Sequence, residues 1–167
     1  PCCFSLDKYP VGDLNKDSME TVFNGTDMKQ MRLNMLANKP SKQCSKCYDQ
    51  EQSGFFSLRL SSNKHFGHNI GMVENTQADG SADFVIKYWD IRFSNLCNLA
   101  CRSCGTWFSS NWYEDHKKLT GKPPEHAKIL KVGRSSNDIW EQMLEQFEHV
   151  EQFYFAGGEP LIMEEHY

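Results

Sequence analysis

The chemistry in this chain is carried by seven cysteines: Cys2, Cys3, Cys44, Cys47, Cys97, Cys101 and Cys104. Cys97, Cys101 and Cys104 fall within "SNLCNLACRSCGTW" at the spacing C-x3-C-x2-C. Three thiolates from one short loop suit a soft metal, yet a tetrahedral ion wants four ligands. From spacing alone two readings stand. One is zinc, completed from afar by His116 or by one of the first four cysteines. The other is a [4Fe–4S] cube in which three irons take protein thiolates and the fourth iron takes a ligand that is not protein. Cys44 and Cys47 form a separate C-x2-C pair, a chelate for one metal site, and Cys2 or Cys3 would add a third ligand. A redox use of that pair is disfavoured, because no thioredoxin-like βαβ pattern surrounds it.

The rest of the composition bounds what the chain can be. It has 167 residues, enough for one domain or two small ones. Charged residues make up 24% and hydrophobic residues 39%, as in a globular chain. No apolar run approaches the ~20 residues of a membrane span, so no membrane partner is expected. The net charge is −4, with no basic block, which argues against nucleic acid as a partner. An odd number of cysteines at metal-ligand spacings argues against a secreted disulfide framework and for a reducing, cytoplasmic setting. "PCCF" at the start and "GGEPLIMEEHY" at the end read as cut ends of a longer chain.

Two parts must position these groups. Residues 1–70 are Cys-rich and mainly helical. Met28, Met31 and Met35 recur at helical spacing as core, with Thr26 or Asp27 as the cap and Pro40 ending the helix; a second helix covers residues 54–67. Residues 71–84 read as a linker or exposed loop. "FVIKYWDIRFS", residues 84–94, reads as a strand, with Val85, Tyr88, Ile91 and Phe93 set against Lys87, Asp90 and Arg92. A helix then carries Trp107, Phe108, Trp112 and Tyr113 near one stripe. "SSNDIWEQMLEQFEHV" is an amphipathic helix capped by Ser136 or Asn137, with Ile139, Trp140, Met143, Leu144, Phe147 and Val150 inward. A strand over residues 152–156 precedes the turn Gly157-Gly158. The order β, Cys loop, α, α, β, Gly loop predicts an α/β fold. Its parallel sheet would have both functional loops side by side at the C-terminal strand ends. Arg59 and Arg92 lie near the motifs and read as partners of structural or solvated ion pairs; Glu114, Asp115 and His116 read as a solvated helix end.

"CNLACRSC" after a strand, followed one strand later by "FAGGEP", resembles the radical SAM superfamily. The resemblance implies that Cys97, Cys101 and Cys104 ligate a [4Fe–4S] cluster whose fourth iron takes S-adenosyl-L-methionine. It further implies that Gly157, Gly158 and Glu159 face the methionine end of that cofactor, with Pro160 shaping the turn. The fold implied for residues 85–167 is the first βα units of a partial (β/α) barrel, incomplete and with an exposed parallel sheet edge, so that the piece alone would not turn over. One departure is Ser103, where many members carry an aromatic residue beside the adenine. "PCC" and "CSKCYDQEQSGFFSLR" are similar to the auxiliary-cluster segment of members with SPASM or twitch domains. That likeness implies a second iron–sulfur cluster on Cys44 and Cys47 with Cys2 and Cys3. The activity implied is reductive cleavage of S-adenosylmethionine to a 5′-deoxyadenosyl radical that abstracts hydrogen. Its electron donor would be a protein such as flavodoxin or ferredoxin, and its substrates peptides or proteins. The chain names no general acid or base. The alternative from another class is a non-catalytic zinc-binding interaction module; a ferredoxin-like electron carrier is a third.

Overall fold

The computed structural model describes residues 9–133 and 135–167. The chain divides into two units, residues 1–13 with 17–84 and residues 14–16 with 85–167. Among the described residues the first unit is helical and the second holds a two-stranded parallel sheet. No helix of the described residues is long and apolar enough to cross a membrane.

In the first unit the helix expected from Thr26 or Asp27 onward forms as α2, Thr26–Leu36, and a short helix that was not expected, α1, Met19–Phe23, precedes it. The break falls at Asn24-Gly25. Asn24 turns its side chain away to the backbone of Ala82, donating to its carbonyl at 3.0 Å and accepting from its N–H at 3.1 Å. Ser18 caps α1 through its hydroxyl. The cap of α2 is Gly25, without a side-chain bond, so Thr26 and Asp27 are its first helical residues and not its caps. The chain leaves α2 before Pro40, through Asn38 at φ 52°. Of the methionine stripe Met31 is buried and Met35 is exposed, so the stripe is only partly core.

The helix α3, Ser45–Gln52, was not legible in the sequence; it is polar, with no apolar period to mark it. The second expected helix is shorter than 54–67: α4, Leu58–Phe66, capped by the Ser57 hydroxyl on Leu60 N–H. A 3-10 segment, Gly67–Asn75, follows it. The end of the stretch expected as a linker is tied down. Lys29 pairs with Asp79 at 2.7 Å, and Arg32 donates to the carbonyls of Gly80 at 3.0 Å and Phe23 at 2.6 Å while lying over the Phe23 ring. Burial lowers the Arg32 pKa, and those carbonyls offset part of its cost. Among the described residues the buried apolar side chains of this unit are Met19, Met31 and Cys47. So small a core gains from a metal or cluster.

In the second unit β1, Tyr88–Ile91, pairs in parallel with β2, Gln152–Phe155, in the register Tyr88–Gln152 to Ile91–Phe155. The strand is shorter than expected and its phase is corrected. A period of two puts Trp89, Ile91 and Phe93 on the buried face, whereas Tyr88 belongs with Asp90 and Arg92 on the other. The buried face packs on α6, Ser136–Leu144, where Ile139 and Met143 are buried and Trp140 lies 5.5 Å from the Phe93 ring. Phe147, in the 3-10 turn after α6, lies edge-on to Phe153. The cap of α6 is Ser135, accepting from Asp138 N–H at 3.1 Å, one residue before the expected caps. Leu144 and Phe147 are exposed, so the apolar face is narrower than its sequence suggests. Trp107 and Phe108 stand exposed in a turn before α5, Tyr113–Thr120, so the expected aromatic stripe does not form. One crossover unit of this kind is shared by many α/β folds; it establishes a parallel α/β unit, not a barrel.

Candidate iron–sulfur and cofactor site

The cysteine loop leaves β1 and is held from beneath by Asn95. This residue is 3% exposed, and its side chain makes three hydrogen bonds: from Nδ2 to the carbonyls of Thr106 at 3.0 Å and Lys128 at 3.1 Å, and to Oδ1 from Leu130 N–H at 2.8 Å. Its own carbonyl accepts from Ser110 N–H at 2.8 Å. One amide thus ties both ends of the loop to the segment after α5. Nothing in "SNLC" sets this asparagine apart from a turn residue, since its partners lie up to 35 positions away. Sequence reading passed over it for that reason.

Within the loop Cys97 begins one turn, and Cys101 and Cys104 close another. Cys97 N–H donates to the Ser110 hydroxyl at 3.1 Å, and Cys97 Sγ accepts from Leu99 N–H at 3.3 Å. Cys104 N–H closes a turn onto the Cys101 carbonyl at 3.0 Å, and Trp112 Nε1 donates to the same carbonyl at 3.0 Å. Ser109, buried, donates to the Leu99 carbonyl at 2.7 Å. The 3-10 turn Ser110–Trp112 therefore staples the loop that carries all three thiols. Cys101 is exposed and Cys97 and Cys104 are half-buried, and all are free. His116, the distant candidate for zinc, lines a cavity of about 390 Å³ with Thr106, Trp107, Lys122 and His126. Among the described residues no three His, Cys, Asp or Glu side chains converge as ligands of one metal ion.

The Gly loop after β2 runs against the start of the cysteine loop. Ala156 N–H donates to the Ile91 carbonyl at 2.9 Å, Gly158 N–H to Ser94 at 2.9 Å and Glu159 N–H to Leu96 at 2.8 Å. The two loops are thus neighbours at the C-terminal ends of adjacent parallel strands. Glycine is required at both positions. Gly157 has φ 116°, and a Cβ on Gly158 would stand 1.8 Å from the Leu96 carbonyl oxygen. Glu159 caps the 3-10 turn Pro160–Ile162, its Oε1 accepting from Leu161 N–H at 3.1 Å, with Pro160 in the first turn.

In the first unit Cys44 is the N-cap of α3 and Cys47 lies in its first turn, 4% exposed. Two thiols one helical turn apart are a fitting half of a soft-metal donor set, and a helix N-terminus favours the negative charge that ligated thiolates carry. Cys2 and Cys3, expected to complete the set, lie outside the described residues. Arg59 and Arg92 both take ion partners, as expected. Arg59 is paired with Glu51, and Arg92 Nε stands 3.4 Å from Asp90 Oδ1.

Residues 1–48 match the family model described as SPASM, an iron–sulfur cluster-binding domain. The match spans Cys2, Cys3, Cys44 and Cys47, and iron–sulfur binding is the property it carries to this segment. No curated protein and no solved structure matches the chain.

Proposed function

We propose that this chain is part of a radical SAM enzyme, with one [4Fe–4S] cluster on Cys97, Cys101 and Cys104 and an auxiliary cluster on Cys44 and Cys47 with Cys2 and Cys3. The observation that supports it most is the backbone pairing of the two loops: Gly158 and Glu159 donate to Ser94 and Leu96, one to three residues before Cys97. A ligand on the open iron of a cluster held by this loop would meet the Gly loop at once. The SPASM match of residues 1–48 adds independent support, since such domains accompany enzymes of this kind.

On this reading S-adenosylmethionine occupies the iron that the three cysteines leave open. The cluster and S-adenosylmethionine, when bound, would supply the chemistry: one-electron reductive cleavage of S-adenosylmethionine, with methionine released, for hydrogen abstraction from a substrate of the peptide or protein class. The chain's own groups bind and orient. Asn95 and the Ser109–Trp112 staple would hold the backbone of the loop that bears the three thiols. Gly157 and Gly158, lacking side chains, let the backbone approach a ligand closely. Glu159 offers its carboxylate to an ammonium group, exchanging its cap on Leu161 or adding to it.

The reading is tested by anaerobic loading of the full chain with iron and sulfide. The expected result is sulfide-to-iron charge-transfer absorption in the loaded chain, with binding of S-adenosylmethionine seen by equilibrium dialysis. Both are reduced in Cys97→Ala, while the iron held by the N-terminal cysteines stays. Stoichiometric zinc with no such absorption would leave a zinc module instead. Clusters that load but never bind S-adenosylmethionine would leave an electron carrier.

A further inference from the structure

Helix α3 has a chemical face. Cys44, Cys47 and Glu51 stand three and four residues apart, so they fall on one side of the helix. Both oxygens of Glu51 are engaged. Oε1 accepts from Arg59 Nε at 3.0 Å and from the buried Ser57 hydroxyl, and Oε2 accepts from Arg59 Nη2. The Arg59 guanidinium also lies 5.0 Å from the centre of the Tyr48 ring, next in sequence to Cys47. The fork on Glu51 and the ring of Tyr48 thus hold one fixed cation against the stretch of α3 that bears Cys47.

We propose that Arg59 is the counter-cation of the Cys44–Cys47 site, a positioning residue that sets the reduction potential of the cluster these cysteines help to hold. The inference rests on the reading that the N-terminal cysteines bind an iron–sulfur cluster. The guanidinium's pKa is raised above its ordinary value, chiefly by the hydrogen bond to Glu51, and its place over the Tyr48 ring sets it beside the residue that follows Cys47. An ordinary structural ion pair explains the fork on Glu51. It does not require the pair to sit on the helical face that bears Cys44 and Cys47, directly after a segment matched as iron–sulfur binding.

The physical consequence has a sign. A thiolate-ligated cluster is anionic, and its reduction adds one more negative charge, so a nearby cation favours the reduced form and a nearby anion opposes it. Glu51 and Arg59 therefore act in opposite directions. Loss of the arginine's charge lowers the potential. Loss of the glutamate's charge, with the arginine kept, raises it. A residue that only holds α3 to α4 would alter stability and loading without this opposition of sign.

The experiment uses the full chain carrying Cys97→Ala, Cys101→Ala and Cys104→Ala, so that the signal comes from the N-terminal cysteines. It is loaded anaerobically with iron and sulfide and titrated with dithionite, and the reduced cluster is followed by electron paramagnetic resonance. The expected result is a lower potential in Arg59→Gln, a higher one in Glu51→Gln and a value near the parent in Arg59→Lys. If the parent takes up no cluster, the reading beneath the proposal falls, and the proposal with it. If the parent loads but the two charge-removing variants keep its potential, or move the same way, the cluster reading stands and the role of Arg59 is overturned. If Arg59→Gln does not fold, Glu51→Gln decides alone, a rise supporting the proposal and no rise defeating it.

Discussion

The carbonyl oxygen of Leu96 occupies the place where a side chain on Gly158 would begin: a Cβ there would stand 1.8 Å away, and 2.7 Å from the carbonyl carbon of Asn95. Both obstacles are backbone, so no rotamer change relieves the clash. Gly158→Ala must pull the Gly loop off the cysteine loop and break the bonds that Gly158 and Glu159 donate to Ser94 and Leu96. The expected cost is about 3 kcal/mol or more, at the upper end of single substitutions, read from urea denaturation. A loss below about 1 kcal/mol would mean that the two loops are not in register here.

Asn95→Ala removes three hydrogen bonds at once and leaves the Thr106 and Lys128 carbonyls and the Leu130 N–H without their partner. A buried group left unpaired costs ~1–3 kcal/mol; Lys128 is exposed and Thr106 and Leu130 are half-buried, so water returns part of that. The expected net destabilisation is about 2–4 kcal/mol, with faster labelling of Cys97, Cys101 and Cys104 by an alkylating reagent as the loop frays. Unchanged labelling would show that the Ser109–Trp112 staple holds the loop unaided.

What the sequence made legible here is local chemistry. Three thiols at C-x3-C-x2-C, a Gly-Gly turn after a β-rich run and the period of α6 all declare themselves within a dozen residues, and the parallel pairing of residues 152–155 with 88–91 follows from their order. What escaped reading depends on distant partners. Asn95 is an organiser only because Thr106, Lys128 and Leu130 come to it. The turn between α1 and α2 is held at Asn24 by the backbone of Ala82, 58 positions away. Helix α3 has no apolar period at all; its place is kept by the Glu51–Arg59 fork and Cys47, the one residue of it that is fully buried. The phase of β1 was misread by one position at Tyr88, since aromatic residues at 88 and 89 suit either face and only packing on α6 selects Trp89.

Asp90 lies on β1 opposite Tyr154 on β2. Its side chain is 13% exposed, and neither carboxylate oxygen accepts a hydrogen bond, leaving the 3.4 Å approach of Arg92 Nε as its ion partner. A carboxylate so placed costs more to bury than a neutral amide of the same shape. Asp90→Asn is therefore expected to leave the fold as stable as before or to stabilise it by up to about 1 kcal/mol, measured as a shift in the thermal midpoint. A clear fall in the midpoint would show that the ion pair with Arg92 outweighs the burial.

Glu51 and Arg59 also make the first unit sensitive to acid. The Glu51 carboxyl is held below its ordinary value, first by the hydrogen bond from Arg59 and then by that from Ser57. A folded-state pKa below the unfolded one stabilises the fold at every pH above the unfolded value, about 4.3 for a glutamate. That contribution is lost as pH falls from there through the lowered folded value. Asp79 follows the same rule at the surface, held low by Lys29 and then Ser81. The stability gap between the parent chain and Glu51→Gln is thus expected to be flat from pH 8 to about 5.5 and to close below about 4, measured as the difference in urea midpoint at each pH. A gap that persists unchanged into the acid range would mean that the glutamate contributes by shape and not by charge. The electrostatic role given to its partner Arg59 would then lose its physical basis, because both rest on the same fork.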